Sequence, residues 1–391
     1  MGGIQYRWFI KNKSQIDSAF SSAIKPVYPL NIQINFLWQI EHEGKTVTVD
    51  PVLFSLLTSL DQLGSLQQAA LQCQTSYRHA WGLMEKGEKL FGSPLIIKHR
   101  GRGAKLTEAG EKLLQAQRQL QARHAPQLAN QATELAHQLS SIQQAQKNYH
   151  LRIYASHGLA VSALRDTLNQ LQDMPVELHF HGSLESLRAL KENQCDIAGF
   201  HVPEGELGKR VSSQYLQHIS PENHRLIYLV RRLQGLMVPK DNPLSIHSLA
   251  DLSKGGYHFI NRQKDSGTRL LLDQLLDLQH IDPMTITGYK QEEFTHMAVA
   301  AMVASGAADC GFGIAAAAQK FGLNFVPIQW EHYCLAVNQQ QFEHESVQTL
   351  FECVNGHAFQ NALVDLEGYQ LDRCGQEVAF EQIFGKGFSE N

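Results

Sequence analysis

From Leu151 onward short apolar runs alternate with amphipathic stretches, and no other feature limits the fold so sharply. "LRIYASHGL" reads as a strand and a loop, "VSALRDTLNQLQ" as a helix and "VELHFHGS" as a strand. "SLESLRALKENQ" then reads as a helix and "CDIAGFH" as a strand. Strands that take turns with helices pair in parallel, because each crossover helix must pack back onto the sheet. This half is therefore expected to be α/β. No G-x-G-x-x-G follows the first strand, so a dinucleotide site is not supported.

The first half follows another pattern. "NIQINFLWQIEHEGKTVTVD" alternates as two short strands joined at His42–Lys45. "DPVLFSLLTSLDQLGS" predicts a helix with Asp50 as N-cap and Pro51 at its first position, its Leu53, Leu56, Leu57 and Leu60 on one face. Two further helices are predicted, one from about Ser65 to Cys73, the other from Thr75 or Ser76 to Gly92. The turn at Gln74 is tight, and Ala69 and Ala70 are small enough for close helix approach, as in a helix-turn-helix. Lys98, Arg100, Arg102 and Lys105, with Gly101 and Gly103 at the bend, outline a basic hairpin of the kind called a wing. A long Gln-, Ala- and Leu-rich helix follows from Thr107; Pro126 is expected to kink or break it, and such linker helices commonly dimerise.

With 391 residues the chain is too long for one ordinary core. The expected division is a 1–30 extension, a winged helix-turn-helix over 31–106, a linker helix over 107–148, and a two-lobed domain over 151–391. Net charge is −4, so nucleic-acid affinity must come from a local patch. Between Gln74 and Lys105 seven Lys and Arg stand against two acids. Thr75, Ser76, Tyr77, Arg78 and His79 would face base edges from the second helix of the pair, with Arg78 suited to guanine. The wing cations would hold phosphate or the minor groove, giving affinity more than specificity. Trp81 and Met84 are expected on the apolar side of that helix.

The remaining inventory mostly excludes. Six cysteines form no C-x-x-C pair, which argues against structural zinc and for a reducing cytoplasm. No apolar run with a cleavage site opens the chain, and no stretch of 18 or more apolar residues implies a membrane span. His179 and His181 share a strand face, but no third metal ligand lies near in sequence. No G-x-S-x-G or H-E-x-x-H occurs, and an enzyme is not expected.

What the second half does offer is anion chemistry. Ser156 and His157 before Gly158, Gly182 and Ser183, and Ser266, Gly267 and Thr268 each stand where a strand gives way to a helix. Free N–H groups and the helix dipole favour negative charge there. Asn261, Arg262 and Arg269, in "NRQKDSGTR", add side-chain donors.

Two families are resembled. "GSLQQAALQCQTSYRHAWGLMEKGEKLFGSPLI" and "GRGAKLTEAGEKLL" are similar to the DNA-binding region of the molybdate-responsive regulator family ModE and of LysR-type regulators. "GLMVPKDNPLSI", "NRQKDSGTRLLLDQLL", "THMAVAAMVASGAADCGFGIAAAA" and "GLNFVPIQWEHYCLAV" resemble the periplasmic-binding-protein-like domain found fused to such regions and in some molybdenum-cofactor proteins. The resemblance implies two α/β lobes around a cleft, lobe I at 151–228 and 334–391 and lobe II at 234–327. It adds His296 at a helix start and Asp309 to Gly313 in a strand lining the cleft. Asp265 stands where that family has glycine and reads as a helix cap. The implied function is a cytoplasmic, homodimeric transcriptional regulator that binds an operator on double-stranded DNA and senses molybdate, tungstate or a cofactor-related anion. A LysR-type sensor of an organic anion or amino-acid-like metabolite, and a solute-binding component of a transport system, are the alternatives.

Overall fold

The computed structural model describes residues 32–42, 44–99, 103–140, 151–169, 176–264 and 266–385. The 1–30 extension, Asp265 and the wing-tip residues Arg100 to Arg102 lie outside them. The chain forms two units, one containing Ile34–Ala122 and the other running from Arg123.

The first unit opens with an antiparallel hairpin, β1 (Gln39–His42) and β2 (Lys45–Thr48). Helix α1 (Pro51–Leu63) starts as its sequence dictates: the Asp50 carboxylate accepts from the Val52 N–H at 2.9 Å. Gly64 ends it in the left-handed conformation. Helix α2 (Leu66–Gln72) is capped by Ser65 and helix α3 (Tyr77–Phe91) by Ser76, with Gln74 at φ 52° in the turn between them. Strands β3 (Ile96–His99) and β4 (Gly103–Leu106) form the expected hairpin. Leu56, Leu57, Ala69, Ala80, Met84, Leu95 and Leu114 close one core.

Helix α4 (Glu108–Ser140) is continuous, so Pro126 does not break it. Proline offers no N–H to the turn before it, and the two units divide in that turn, between Ala122 and Arg123. The division therefore falls inside the linker helix rather than at either end.

The second unit is built on one large sheet. Strand β5 (Leu151–Ala155) lies between β6 (Val176–Phe180) and β7 (Ile197–Pro203), parallel to both. Strand β9 (Phe259–Arg262) lies between β10 (Glu292–Glu293) and β11 (Cys310–Ile314), again parallel. Two long antiparallel strands, β8 (His224–Val238) and β12 (Asn324–Asn338), join these two groups, giving the order β10-β9-β11-β8-β12-β7-β5-β6. The lobe I strands carry helices on both faces: α5 (Leu159–Leu168), α12 (Glu345–Asn355) and α13 (His357–Leu363) on one, α6 (Ser183–Lys191), α7 (Glu206–Tyr215) and α14 (Phe380–Phe384) on the other. In lobe II, α8 (Leu249–Leu252) and α9 (Gly267–Leu278) cover one face, α10 (His296–Ala304) and α11 (Ala315–Lys320) the other. Covered on both sides, β7 is buried at every residue and does not alternate. The short strands β13 (Tyr369–Gln370) and β14 (Glu377–Val378) add to β8. The fold is multidomain: a small α+β winged-helix unit, a linker helix and a two-lobed α/β domain of the periplasmic-binding-protein type. No described helix is long and apolar enough to cross a membrane.

Candidate functional site

Helices α5, α6, α9 and α10 begin at the carboxyl ends of parallel strands, where ligands of such sheets sit. Helices α5 and α6 start at Gly158 and Gly182, neither of which supplies a side-chain cap, so their first N–H groups are left open. Helix α9 is capped by Ser266 and α10 by Thr295. The Ser266 hydroxyl accepts from the Arg269 N–H at 3.1 Å, while Asp265, read from sequence as that cap, lies outside the described residues. The helix starts of the two lobes meet: the Ser183 hydroxyl lies 3.7 Å from where a side chain on Gly267 would begin.

A chain of polar contacts ties these starts together. Ser156 Oγ is 2.9 Å from His201 Nδ1, and Ser183 Oγ accepts from the His201 N–H at 3.2 Å. Thr268 Oγ1 is 3.4 Å from His296 Nε2. The second ring nitrogens, His201 Nε2 and His296 Nδ1, are buried with no hydrogen-bond partner. Two such atoms beside open helix starts are the mark of a site that expects something polar.

The charge balance points the same way. Arg262 is 5% exposed and gives hydrogen bonds to Gln263 Oε1 and the Phe294 carbonyl, both at 3.1 Å. No described carboxylate pairs with it. Burial, then the charge of Arg232, pushes its pKa down to about 9. Arg232, by contrast, is paired with the buried Glu331, which Gln234 also contacts at 2.9 Å. Burial and the charges of Arg262 and Arg165 hold His157 at about 3. Burial, with Arg232 and Arg262, holds His201 and His296 well below the imidazole range. The crevice thus contains three neutral imidazoles and one guanidinium that no carboxylate among the described residues compensates.

Other expected residues are engaged by partners of their own. Arg269 is paired with acids: it donates to Asp273 at 2.9 Å, approaches Glu292 at 3.3 Å and lies over the Tyr289 ring. Asn261 is spent on structure, donating to the Tyr289 carbonyl and accepting from the Arg262 N–H. Asp309 sits at the opposite, amino-terminal end of β11, where its carboxylate accepts from the His258 N–H at 2.7 Å. In their place the structure brings in His201, Arg232, Glu331 and Tyr333, whose ring stacks on His201 at 3.9 Å. No group of three potential metal ligands occurs among the described residues.

In the first unit Ser76, Tyr77, Arg78 and His79 are exposed at the start of α3, and Thr75 is half-buried. Ser76, Arg78, His79, Gly82 and Lys86 line an open groove. Met84 is core, as expected, but Trp81 is only half-buried and donates to Glu85. Lys98 lies 3.5 Å over the Trp81 ring and donates to the Tyr77 hydroxyl, so it braces wing against helix. Lys105 is exposed on β4.

These features belong to a two-lobed α/β domain and a winged-helix unit, and comparison with known proteins agrees on the two-lobed domain. Residues 165–355 match the PBP superfamily domain. The chain is 32% identical over 210 residues to the uncharacterized protein YvgK of Bacillus subtilis, covering 54% of this chain and 67% of that one. It is 36% identical over 114 residues to an uncharacterized protein encoded in the 5′ region of a 2Fe-2S ferredoxin gene of Clostridium pasteurianum, 28% of this chain and 97% of that one. The chain belongs to the family of these two proteins. A shorter match, 37% over 71 residues, is to the transcriptional regulator ModE of Haemophilus influenzae, 17% of this chain and 28% of that one. Among solved structures it is similar to full-length BenM (17% identity, 78% and 94% coverage, TM-score 0.39) and to CbnR, a LysR family transcriptional regulator (14%, 79% and 98%, 0.35).

Proposed function

We propose that this chain is a DNA-binding transcriptional regulator whose two-lobed domain senses a small oxyanion, with molybdate or tungstate the first candidates and a molybdenum-cofactor-related anion the next. The observation that carries the reading is Arg262, a buried cation with no carboxylate partner among the described residues, set among open helix starts and two unpartnered imidazole nitrogens. An anion held there takes the charge of Arg262 and the N–H groups of α9 from lobe II, and the N–H groups of α5 and α6 and His201 from lobe I. Charge-assisted bonds of this kind contribute about 1.5–3 kcal/mol each. A ligand touching both lobes favours the closed form over the open one.

The exposed start of α3, with Arg78 and Lys86 on one groove, supports an operator-reading role, and the ModE match supports the class. A homodimer through α4 would pair two such heads in the cytoplasm. Choice among oxyanions rests on family likeness, which is a weaker warrant than the site's charge. The test is binding of the full chain to DNA from upstream of its own gene, followed by fluorescence anisotropy with and without molybdate, tungstate or sulfate. Specific DNA affinity altered at least tenfold by molybdate or tungstate and unaltered by sulfate is expected. DNA affinity indifferent to all three would turn the reading to an organic anion, and no specific DNA binding would remove it.

A further inference from the structure

The second unit includes the C-terminal part of the linker helix, and that part touches the outermost strand of each lobe. Arg123 forms a two-pronged ion pair with Glu293 of β10, one arm at 2.9 Å. Asn130 pairs both ways with the main chain of Phe180 at the end of β6, giving to its carbonyl at 3.2 Å and accepting from its N–H at 2.7 Å. Thr133 donates to the Leu178 carbonyl at 3.1 Å. β10 and β6 are the two ends of the sheet.

The Glu293 contact bears on the cleft. Glu293 is 1% exposed and stands directly across the parallel ladder from Arg262. Neighbouring strands are about 4.8 Å apart, a gap that two long side chains span. The residue after it, Phe294, supplies the carbonyl that Arg262 donates to. A buried carboxylate cannot stay unpaired without large penalty, and Arg123 is its partner.

We propose that Arg123 is a positioning residue for the anion site: by engaging Glu293 it keeps that carboxylate off Arg262, and so leaves Arg262 free to hold the ligand. The proposal rests on the anion-sensing reading of Arg262. Remove Arg123, and Glu293 turns to the nearest cation, which neutralises the anchor. The coupling is reciprocal, as linkage requires: an anion on Arg262 repels Glu293 toward Arg123, and so strengthens the grip of the sensor on α4. That helix continues without interruption back to Glu108, so occupancy of the crevice is felt along the segment that leads to the winged helix.

Two arms test this in the full chain. In calorimetric titration with molybdate, Arg123→Gln should weaken binding at least tenfold, and adding Glu293→Gln should return it to within about threefold of the parent. Arg123→Lys should retain most of the affinity. A double variant as weak as Arg123→Gln alone, or an Arg123→Gln chain that binds like the parent, overturns the proposal. The second arm needs no ligand. Arg262→Gln should raise the melting temperature in the parent, where Arg262 lacks a carboxylate, and lower it in the Arg123→Gln background, where Glu293 has become its partner. The same sign in both backgrounds refutes the re-pairing even if no oxyanion binds, while reversal of sign without molybdate binding sustains it and sinks only the ligand reading.

Discussion

His157, His201 and His296 are held neutral in the folded state, His157 at about 3 against an ordinary 6.5. The consequence for stability has a definite sign. Between pH 6.5 and the folded values the unfolded chain binds protons that the folded chain refuses, so stability falls as the pH drops below about 6.5. The three imidazoles act in the same direction, so their losses add. Urea unfolding at pH 7 and pH 5 should show this loss, and His201→Gln should remove about a third of it. A bound dianion should oppose it by favouring protonated rings. An unchanged slope in His201→Gln would mean that this ring takes up protons in the folded chain too.

The residues easiest to read in sequence were those whose partners are local. Asp50 is the expected cap because its carboxylate meets an N–H two residues on, and Ser65 and Ser76 start the two expected helices because their hydroxyls meet an N–H three residues on. His201 was not legible: it lies within the buried strand β7, and its partner Ser156 is 45 residues away. Arg232 and Glu331 meet across strands 99 positions apart. Arg269 shows the converse. Its motif suggested a ligand contact, whereas Asp273 one turn on and Glu292 on a neighbouring strand had already claimed its charge.

At the scale of elements, the alternation of strand and helix announced the α/β domain, because helices on both faces make its strands continuously apolar. The hairpin and the helix pair were equally plain from their turn residues. The path of α4 was not, since a proline at position 126 argues for a break that tertiary packing overrides. One close approach there gives a sharp test. A side chain on Gly110 would begin 2.1 Å from the Leu95 carbonyl oxygen, where α4 crosses the base of the hairpin. Gly110→Ala should therefore destabilise the first unit by about 1–3 kcal/mol. Thermal unfolding should report this as an earlier transition of that unit, with anion binding by the second unit intact. If Gly110→Ala melts with the parent, the packing of α4 on the hairpin is looser than described.

For the whole molecule, the two proposed functions fall in separate units that share one helix. The winged unit presents Arg78 and His79 at the start of α3, with Lys86 further along the same groove; the other presents Arg262 in a crevice closed by two helix starts. Everything assigned to the chain depends on that crevice taking an anion. The most direct measurement is calorimetric titration of the full chain with molybdate, tungstate and sulfate, beside its Arg262→Gln variant. Saturable heat from molybdate or tungstate at one site per chain, weakened at least a hundredfold in the variant, is the expected result. No heat from any oxyanion, or heat that survives the loss of Arg262, would contradict it.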